Sequence, residues 1–259
     1  MSQSVVRGNE IFRLGKAPAK RDARNFKLAA LLKALPPVPD EWDYDLANPA
    51  IAIPTPMFGN DVYGDCVIAG RAHQTLRFEA FEQQKLIPVT DKDVLREYWK
   101  QEGGTGPDFD KGLVVLDSLK LWRKPGWRVA RRKYSIYAFA QVDQNNMAEV
   151  KAAIYLLSGA GAGILLPRSA QDQITSGKPW DVTSGPDSTP GSWGGHYVYL
   201  VGYTTLGPVC VTWGRKQQMT WAFLQKYCDE LYALVDNKDR FVKGSPVDVV
   251  KLAQYLSQL

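Results

Sequence analysis

The sequence predicts an α+β protein of two lobes, and three observations predict it. Segments with helical spacing of apolar residues fill the first half, while short β-rich segments dominate the second. The longest helical pattern carries Ala69, Gly70 and Ala72 in its first turns, small residues that let another backbone approach, so this helix is expected to be central. At 259 residues and 45% hydrophobic, with no repeats, the chain can bury one large core or two closely packed lobes.

Residues 1–24 read as irregular. Asn25 is placed to cap a short helix from Phe26 to Leu35, with Leu28, Leu31, Leu32 and Leu35 on one stripe, stopped by Pro36-Pro37-Val38-Pro39. Trp42 to Met57 reads as extended chain broken by Pro49, Pro54 and Pro56. A long helix is predicted from Asp65 to about Gln84. Another starts at Thr90, with Asp93 as capping-box partner, and runs to about Glu102. After a loop from Gly103 to Gly112, Leu113 to Trp122 suggests a further helix, ended by Pro125-Gly126.

Tyr134 to Asp143 is β-rich. Asn146 and Glu149 form a capping box for a helix from Met147 to Ser158, with Val150, Ile154 and Leu157 inward, and Gly163 to Pro167 reads as a short buried strand. The Gly/Ser/Thr/Pro-rich stretch Ser169 to Ser192 is long enough for a functional loop or lid. Strands follow at Tyr197–Tyr203 and Pro208–Trp213, then a helix from Thr220 to Asp229 and a strand at Leu231–Asp236. Ser245-Pro246 starts a terminal helix with Val249, Leu252 and Leu256 inward.

Composition excludes several classes. No run approaches the roughly 18 apolar residues of a membrane span, and Met1 to Asn9 lacks the apolar core of a secretory signal. Three cysteines, Cys66, Cys210 and Cys228, have no framework spacing, which points to a reducing compartment and away from structural disulfides. No Cys/His cluster has metal-ligand spacing, so neither a metal nor a cofactor is expected. The net charge of +5 is concentrated in residues 1–35, where eight Lys/Arg face only Glu10 and Asp22. A second basic run spans Lys120 to Lys133 without an acid. Solvated basic faces explain both more simply than nucleic acid, which is not expected as a partner.

The chemistry-bearing motifs lie about 130 residues apart. Asn60-Asp61-Val62-Tyr63-Gly64-Asp65-Cys66 puts a cysteine at a turn that opens an apolar helix. Gly194-Gly195-His196-Tyr197 puts a histidine at the head of an apolar strand. There are only two histidines, and His73, two turns along the helix from Cys66, reads as structural. A thiol and an imidazole distant in sequence suit cysteine acyl-transfer chemistry. Cys210 and Cys228 read as core residues, and Trp180 and Trp193 either line a groove or staple their loop.

These residues resemble the papain-like superfamily of cysteine peptidases. Pro39-Asp40-Glu41-Trp42-Asp43 looks like the Pro-x-x-x-Asp-Trp entry of a mature papain-like domain. Gly64-Asp65-Cys66 stands where those enzymes have Gly-Ser-Cys, and Asn60 falls six residues before the cysteine, where they have the oxyanion-hole glutamine. His196 is followed by Gly202-Tyr203 at the same distance, and Trp213-Gly214 resembles their Asn-Ser-Trp-Gly motif. The string Gly-Asn-Asp-x-x-Gly-Asp-Cys is also similar to uncharacterised papain-like proteins of bacteria and phages. The chain departs from the pattern in four places. Val211, or Thr212 after a one-residue shift, replaces the orienting asparagine; Asn60 is one methylene short of glutamine; Val67 replaces a tryptophan; and Asp65 sits beside the thiol.

The resemblance implies a papain-like two-lobed fold: a helical lobe, with the Cys66 helix central, packed on an antiparallel β-sheet lobe. It implies a papain-like domain over 36–236, flanked by a basic extension at 1–35 and a helical extension at 237–259. The extension at 1–35 is too short to resemble a folded inhibitory prodomain and is expected to pack across the lobes or dock a partner. As implied roles, Cys66 is nucleophile, His196 base and acid, Asn60 oxyanion donor and Thr212 orienter of the imidazole. Gly64, Asp65, Trp193, Gly195 and Trp213 are expected to contact substrate. The helix N-terminus and an imidazolium are expected to lower the Cys66 pKa. Function is expected to be hydrolysis of a peptide or other amide bond through an acyl-thioester. The alternatives are a catalytically silent binding or structural module and an acyl transferase. Partners are then a peptide or protein substrate, or a protein partner in an assembly, with no membrane; localisation is expected to be cytoplasmic or within a phage particle.

Overall fold

The computed structural model describes residues 5–7, 10–32 and 37–236, with Asp248 and Gln254. The predicted terminal helix from Ser245 therefore lies outside the described residues, as does Leu35. Among the described residues there are seven α-helices and one seven-stranded antiparallel sheet, an α+β architecture.

A small hairpin, β1 (Val5–Arg7) with β2 (Glu10–Phe12), opens the chain. The helix predicted over Phe26–Leu35 is reduced to a 3-10 turn at Leu28–Ala30, with no side chain capping it. Asn25 is two residues too early to cap, and Lys27 instead bridges to Gln141 of the sheet lobe. The stretch after Pro39 is less extended than predicted. It holds β3 (Trp42–Asp43) and α1 (Tyr44–Ala47), because the Asp43 carboxylate accepts from the N–H groups of Asp45 and Leu46.

The long helix α2 (Cys66–Gln83) runs through the middle, with Gly70 set so closely on the sheet that a Cβ would lie 2.7 Å from the Tyr197 ring. Its two buried arginines find partners: Arg77 makes a two-pronged ion pair with Asp45 at 2.9 and 2.8 Å, and Arg71 donates to the Ser118 carbonyl. α3 (Asp91–Gln101) begins with the predicted capping box, both hydrogen bonds present between Thr90 and Asp93. α4 (Val115–Arg123) and the hairpin of β4 (Trp127–Val129) and β5 (Arg132–Tyr134) complete the helical side.

The sheet lobe follows: β6 (Ala138–Gln141), α5 (Met147–Leu156), β7 (Ala160–Leu166), α6 (Arg168–Thr175), β8 (Gly194–Tyr203), β9 (Pro208–Thr212), β10 (Arg215–Gln218), α7 (Trp221–Tyr227) and β11 (Cys228–Val235). The spatial order is β10-β9-β8-β7-β11-β6, with β3 also on β8. The Asn146 cap accepts from the Glu149 N–H, but Glu149 reaches back to the Asp143 N–H, so the box is one-sided. The predicted Ser169–Ser192 loop is only partly a loop. Its first turns are α6, packed inward through Ala170, Gln171 and Ile174. β10 was hidden in the sequence by its polar composition, Arg215-Lys216-Gln217-Gln218. Among the described residues, no helix is long and apolar enough to cross a membrane.

Candidate active site

Cys66 is the first residue of α2, and Asp65 stands at its N-cap. The Gly59–Tyr63 turn leads into it, and Gly64 N–H is tied to Asp110 Oδ1 at 2.9 Å. Tyr98 hydroxyl holds the same carboxylate oxygen at 2.7 Å. Sequence reasoning missed both Asp110 and Tyr98, which lie well past the cysteine and belong to no motif.

β8 brings its N-terminal residues against this helix end. The Tyr197 N–H donates to Cys66 Sγ at 3.4 Å, so the thiol rests on the backbone immediately after His196. His196 Nε2 lies 2.7 Å from Thr212 Oγ1, and among the described residues its Nδ1 has no hydrogen-bond partner. Val211 faces the other way, into a small cluster with Tyr44, Tyr199 and Val201. The imidazole stacks on Trp213, with centroids 4.0 Å apart and planes 14° from parallel.

Trp213 reaches that position through a two-residue hairpin turn. Trp213 and Gly214 have φ of 43° and 72°, the pattern of a turn whose twist matches its flanking strands, here Thr212 paired with Arg215. Left-handed backbone is uncommon for a bulky residue and marks a strained position.

Residues 12–17 lie across this arrangement. Phe12 packs on Trp193 and Trp213, with centroids 6.1 and 4.9 Å away. The Arg13 carbonyl accepts from Trp213 Nε1 at 3.1 Å and from Asn60 Nδ2 at 3.4 Å. Gly15 sits so tightly on the nucleophile turn that a Cβ would be 1.6 Å from the Gly64 oxygen. The Leu113 N–H donates to the Gly15 carbonyl, Lys16 N–H donates to the Gly195 carbonyl at 3.1 Å, and Ala17 N–H donates to Leu113. The strap thus bonds to the helical side at Leu113 and to the sheet side at Gly195. Gly64, Gly195, Trp193 and Trp213 all touch it. The Asn60 amide also donates to the Tyr63 carbonyl at 3.0 Å.

Burial sets the electrostatics. The Cys66 thiol is pushed up to about 12 by desolvation, against hydrogen bonds from the Tyr197 and Gly15 backbone. Desolvation pulls His196 down to about 3. With the strap in place burial opposes charge on both groups, so the thiol stands above its ordinary range and not below it as expected. Asp65 is fully buried, and desolvation holds its carboxyl well above the usual carboxylate range.

The remaining candidates are core residues. His73 is buried against Phe58 and pulled down to about 3 by desolvation. Trp180 is buried, donates to the Ala170 carbonyl and stacks on Phe223. Cys210 and Cys228 are buried and free. Among the described residues no cluster of three or more His, Cys, Asp and Glu is arranged to hold a metal ion.

The helix-borne thiol packed against an antiparallel sheet that carries the imidazole defines the papain-like fold of the cysteine proteases. Solved structures of that class share it. Xylellain, a cysteine protease from Xylella fastidiosa, superposes with a TM-score of 0.65 at 16% identity, covering 90% of this chain and 100% of that one. Procathepsin B S9 from Trypanosoma congolense gives 0.59 at 11% identity over 87% of each chain. The Carica candamarcensis cysteine protease CMS1MS2 gives 0.56 at 13%, over 78% of this chain and 100% of that one. At these identities the likeness is one of fold. No family model and no curated protein matches the chain.

Proposed function

We propose that this chain is a papain-like cysteine hydrolase acting on a peptide or other amide bond, kept latent by residues 12–17. The observation that carries the reading is the placement of Cys66 Sγ against the backbone of His196–Tyr197, with His196 Nε2 held by Thr212. With Nε2–H donating to Thr212, Nδ1 is the basic nitrogen. Displacement of the strap readmits water, which favours charge separation into thiolate and imidazolium. Sγ then attacks the carbonyl carbon, and the oxyanion is met by the Cys66 N–H and the Asn60 amide. His196 returns its proton to the leaving amine as the C–N bond breaks. The acyl-thioester is released by water; release to another nucleophile would make the protein a transferase with the same intermediate.

A second reading, a silent binding or structural module such as part of a phage particle, is favoured by one observation. The thiol and imidazole are both buried, shut from water in this state. The test is the pH dependence of Cys66 alkylation by iodoacetamide in a strap-loosened chain, with and without His196→Ala. An apparent pKa well below the roughly 8.5 of a free thiol, abolished by the substitution, supports the hydrolase. A slow thiol indifferent to His196 supports the module.

A further inference from the structure

Helix α3 sorts its charges by face. Asp93 and Glu97 are buried, whereas Lys92, Arg96 and Lys100 stand in solvent at four-residue spacing, one stripe along the helix. Asp93 Oδ1 accepts from Arg96 at 2.8 Å and from the Ala130 N–H at 3.2 Å, and Glu97 lies 3.7 Å from the buried Arg71. Lys100 comes within 3.4 Å of Glu97 yet is 60% exposed, and an exposed pairing of that kind spends little of its charge.

A groove of about 670 Å³ runs beside the stripe, lined by these three cations, by Leu95 and Trp99, and by the loop Gly103–Thr105. None of the described residues lining it is acidic. The basic run of the sequence comes to the same face. Arg96 donates to the Arg128 carbonyl at 2.8 Å, which joins α3 to the β4–β5 hairpin, where Arg128, Arg131, Arg132 and Lys133 are exposed. The groove also backs onto the turn that leads to Cys66. Tyr63 stands edge-on to Trp99 with ring centroids 5.0 Å apart, and a Cβ at Gly59 would lie 3.0 Å from Leu95 Cδ2.

Positive potential alone suits any polyanion. A nucleobase needs an open ring face to stack on, and Trp99 is only 8% exposed. Leu95 beside the cations suits a chain that alternates carboxylates with aliphatic side chains. Four residues of helix advance about 6 Å, close to the roughly 7 Å between alternate residues of an extended strand. Lys92, Arg96 and Lys100 can therefore meet carboxylates at every second position of such a strand.

We propose that the α3 groove docks an extended acidic segment of a partner protein, its carboxylates paired with Lys92, Arg96 and Lys100 and its aliphatic side chains against Leu95. The site stands apart from the hydrolase reading, since binding there uses neither the thiol, the imidazole nor the strap.

The test is fluorescence anisotropy of a labelled heptapeptide in which glutamate and leucine alternate, titrated with the full chain. Its glutamine counterpart and a thymidine oligonucleotide are run beside it. Saturable binding of the glutamate peptide is expected, weakened by salt and about tenfold or more tighter than that of the glutamine peptide. Lys92→Gln with Lys100→Gln, which leaves Arg96 and its bond to Arg128 in place, should weaken it by on the order of tenfold. Lys178→Gln with Lys226→Gln removes the same charge from the sheet side and should leave binding unchanged. Both pairs replace exposed lysines, and an unchanged Tm verifies folding. No saturable binding, equal binding of the two peptides, or equal loss in the two pairs of variants overturns the site. Preference for the oligonucleotide overturns it as well, in favour of a nucleic acid.

Discussion

Gly15→Ala is the sharpest perturbation the structure offers. Gly15 is outside the left-handed region, so alanine meets no backbone penalty there, and its only obstacle is space. The new methyl carbon would fall 1.6 Å from the Gly64 oxygen, 2.2 Å from its carbonyl carbon and 2.5 Å from its Cα. All three are backbone atoms of the turn preceding Cys66, anchored by the Asp110 carboxylate. The turn cannot retreat as a flexible side chain would, so the strap must lift. Forced overpacking of this kind costs about 1–3 kcal/mol. If Cys66 reacts only from the lifted state, its alkylation rate follows that state's population and rises about 5- to 150-fold. The assay is iodoacetamide labelling read by mass spectrometry, with the buried Cys210 and Cys228 as internal references for global unfolding. Gly106→Ala, where a Cβ meets nothing within 4 Å, is the control. Unchanged Cys66 labelling in Gly15→Ala, or a rise shared equally by all three cysteines, would refute the argument that the strap gates the thiol.

Three further outcomes are expected. Thr212→Val leaves Nε2 of a fully buried imidazole without its partner, costing about 1–3 kcal/mol, seen as a lower urea midpoint. Asp65 has a raised carboxyl in the folded state, so the native chain binds its proton more tightly than the unfolded chain. The stability linked to that proton is present at acid pH and lost as pH rises above about 4 towards the folded-state pKa, so Asp65→Asn should flatten the pH dependence of Tm in that window. Arg77→Met leaves Asp45 with Lys216 alone and should cost about 1–3 kcal/mol, measured by denaturant unfolding.

The parts of the fold legible in the sequence were those written in local chemistry. Thr90 with Asp93, and Asn146 before Glu149, mark helix starts that the structure keeps. Gly70 announced the close helix–sheet contact because only a missing side chain permits it. What stayed hidden depends on distant partners. Leu28–Ala30 carries a leucine stripe yet forms a single 3-10 turn, because Lys27 and Phe26 spend their backbone bonds on Gln141. Arg215–Gln218 has no strand signal, and only its pairing with Val209–Thr212 makes it one. At the site, Cys66 and His196 stood out by their motifs and Asn60 and Thr212 through the papain-like resemblance, whereas Asp110 and Tyr98 did not stand out. A carboxylate's role as an anchor or a counter-charge is decided by what burial places opposite it.

β8 has a consequence for how this protein can change. Consecutive residues of one strand serve three masters: Gly195 bonds the strap, His196 carries the imidazole, and Tyr197 supplies the N–H beneath the thiol. A strand alternates faces at every step, so a slip of one residue would exchange all three at once. Pairing of β8 with β7 over seven consecutive positions, Ala160 with Leu200 through Leu166 with Gly194, guards against that slip. Adaptation is thereby channelled. The strap can vary residue by residue, while the reacting pair itself is heritable only as a block.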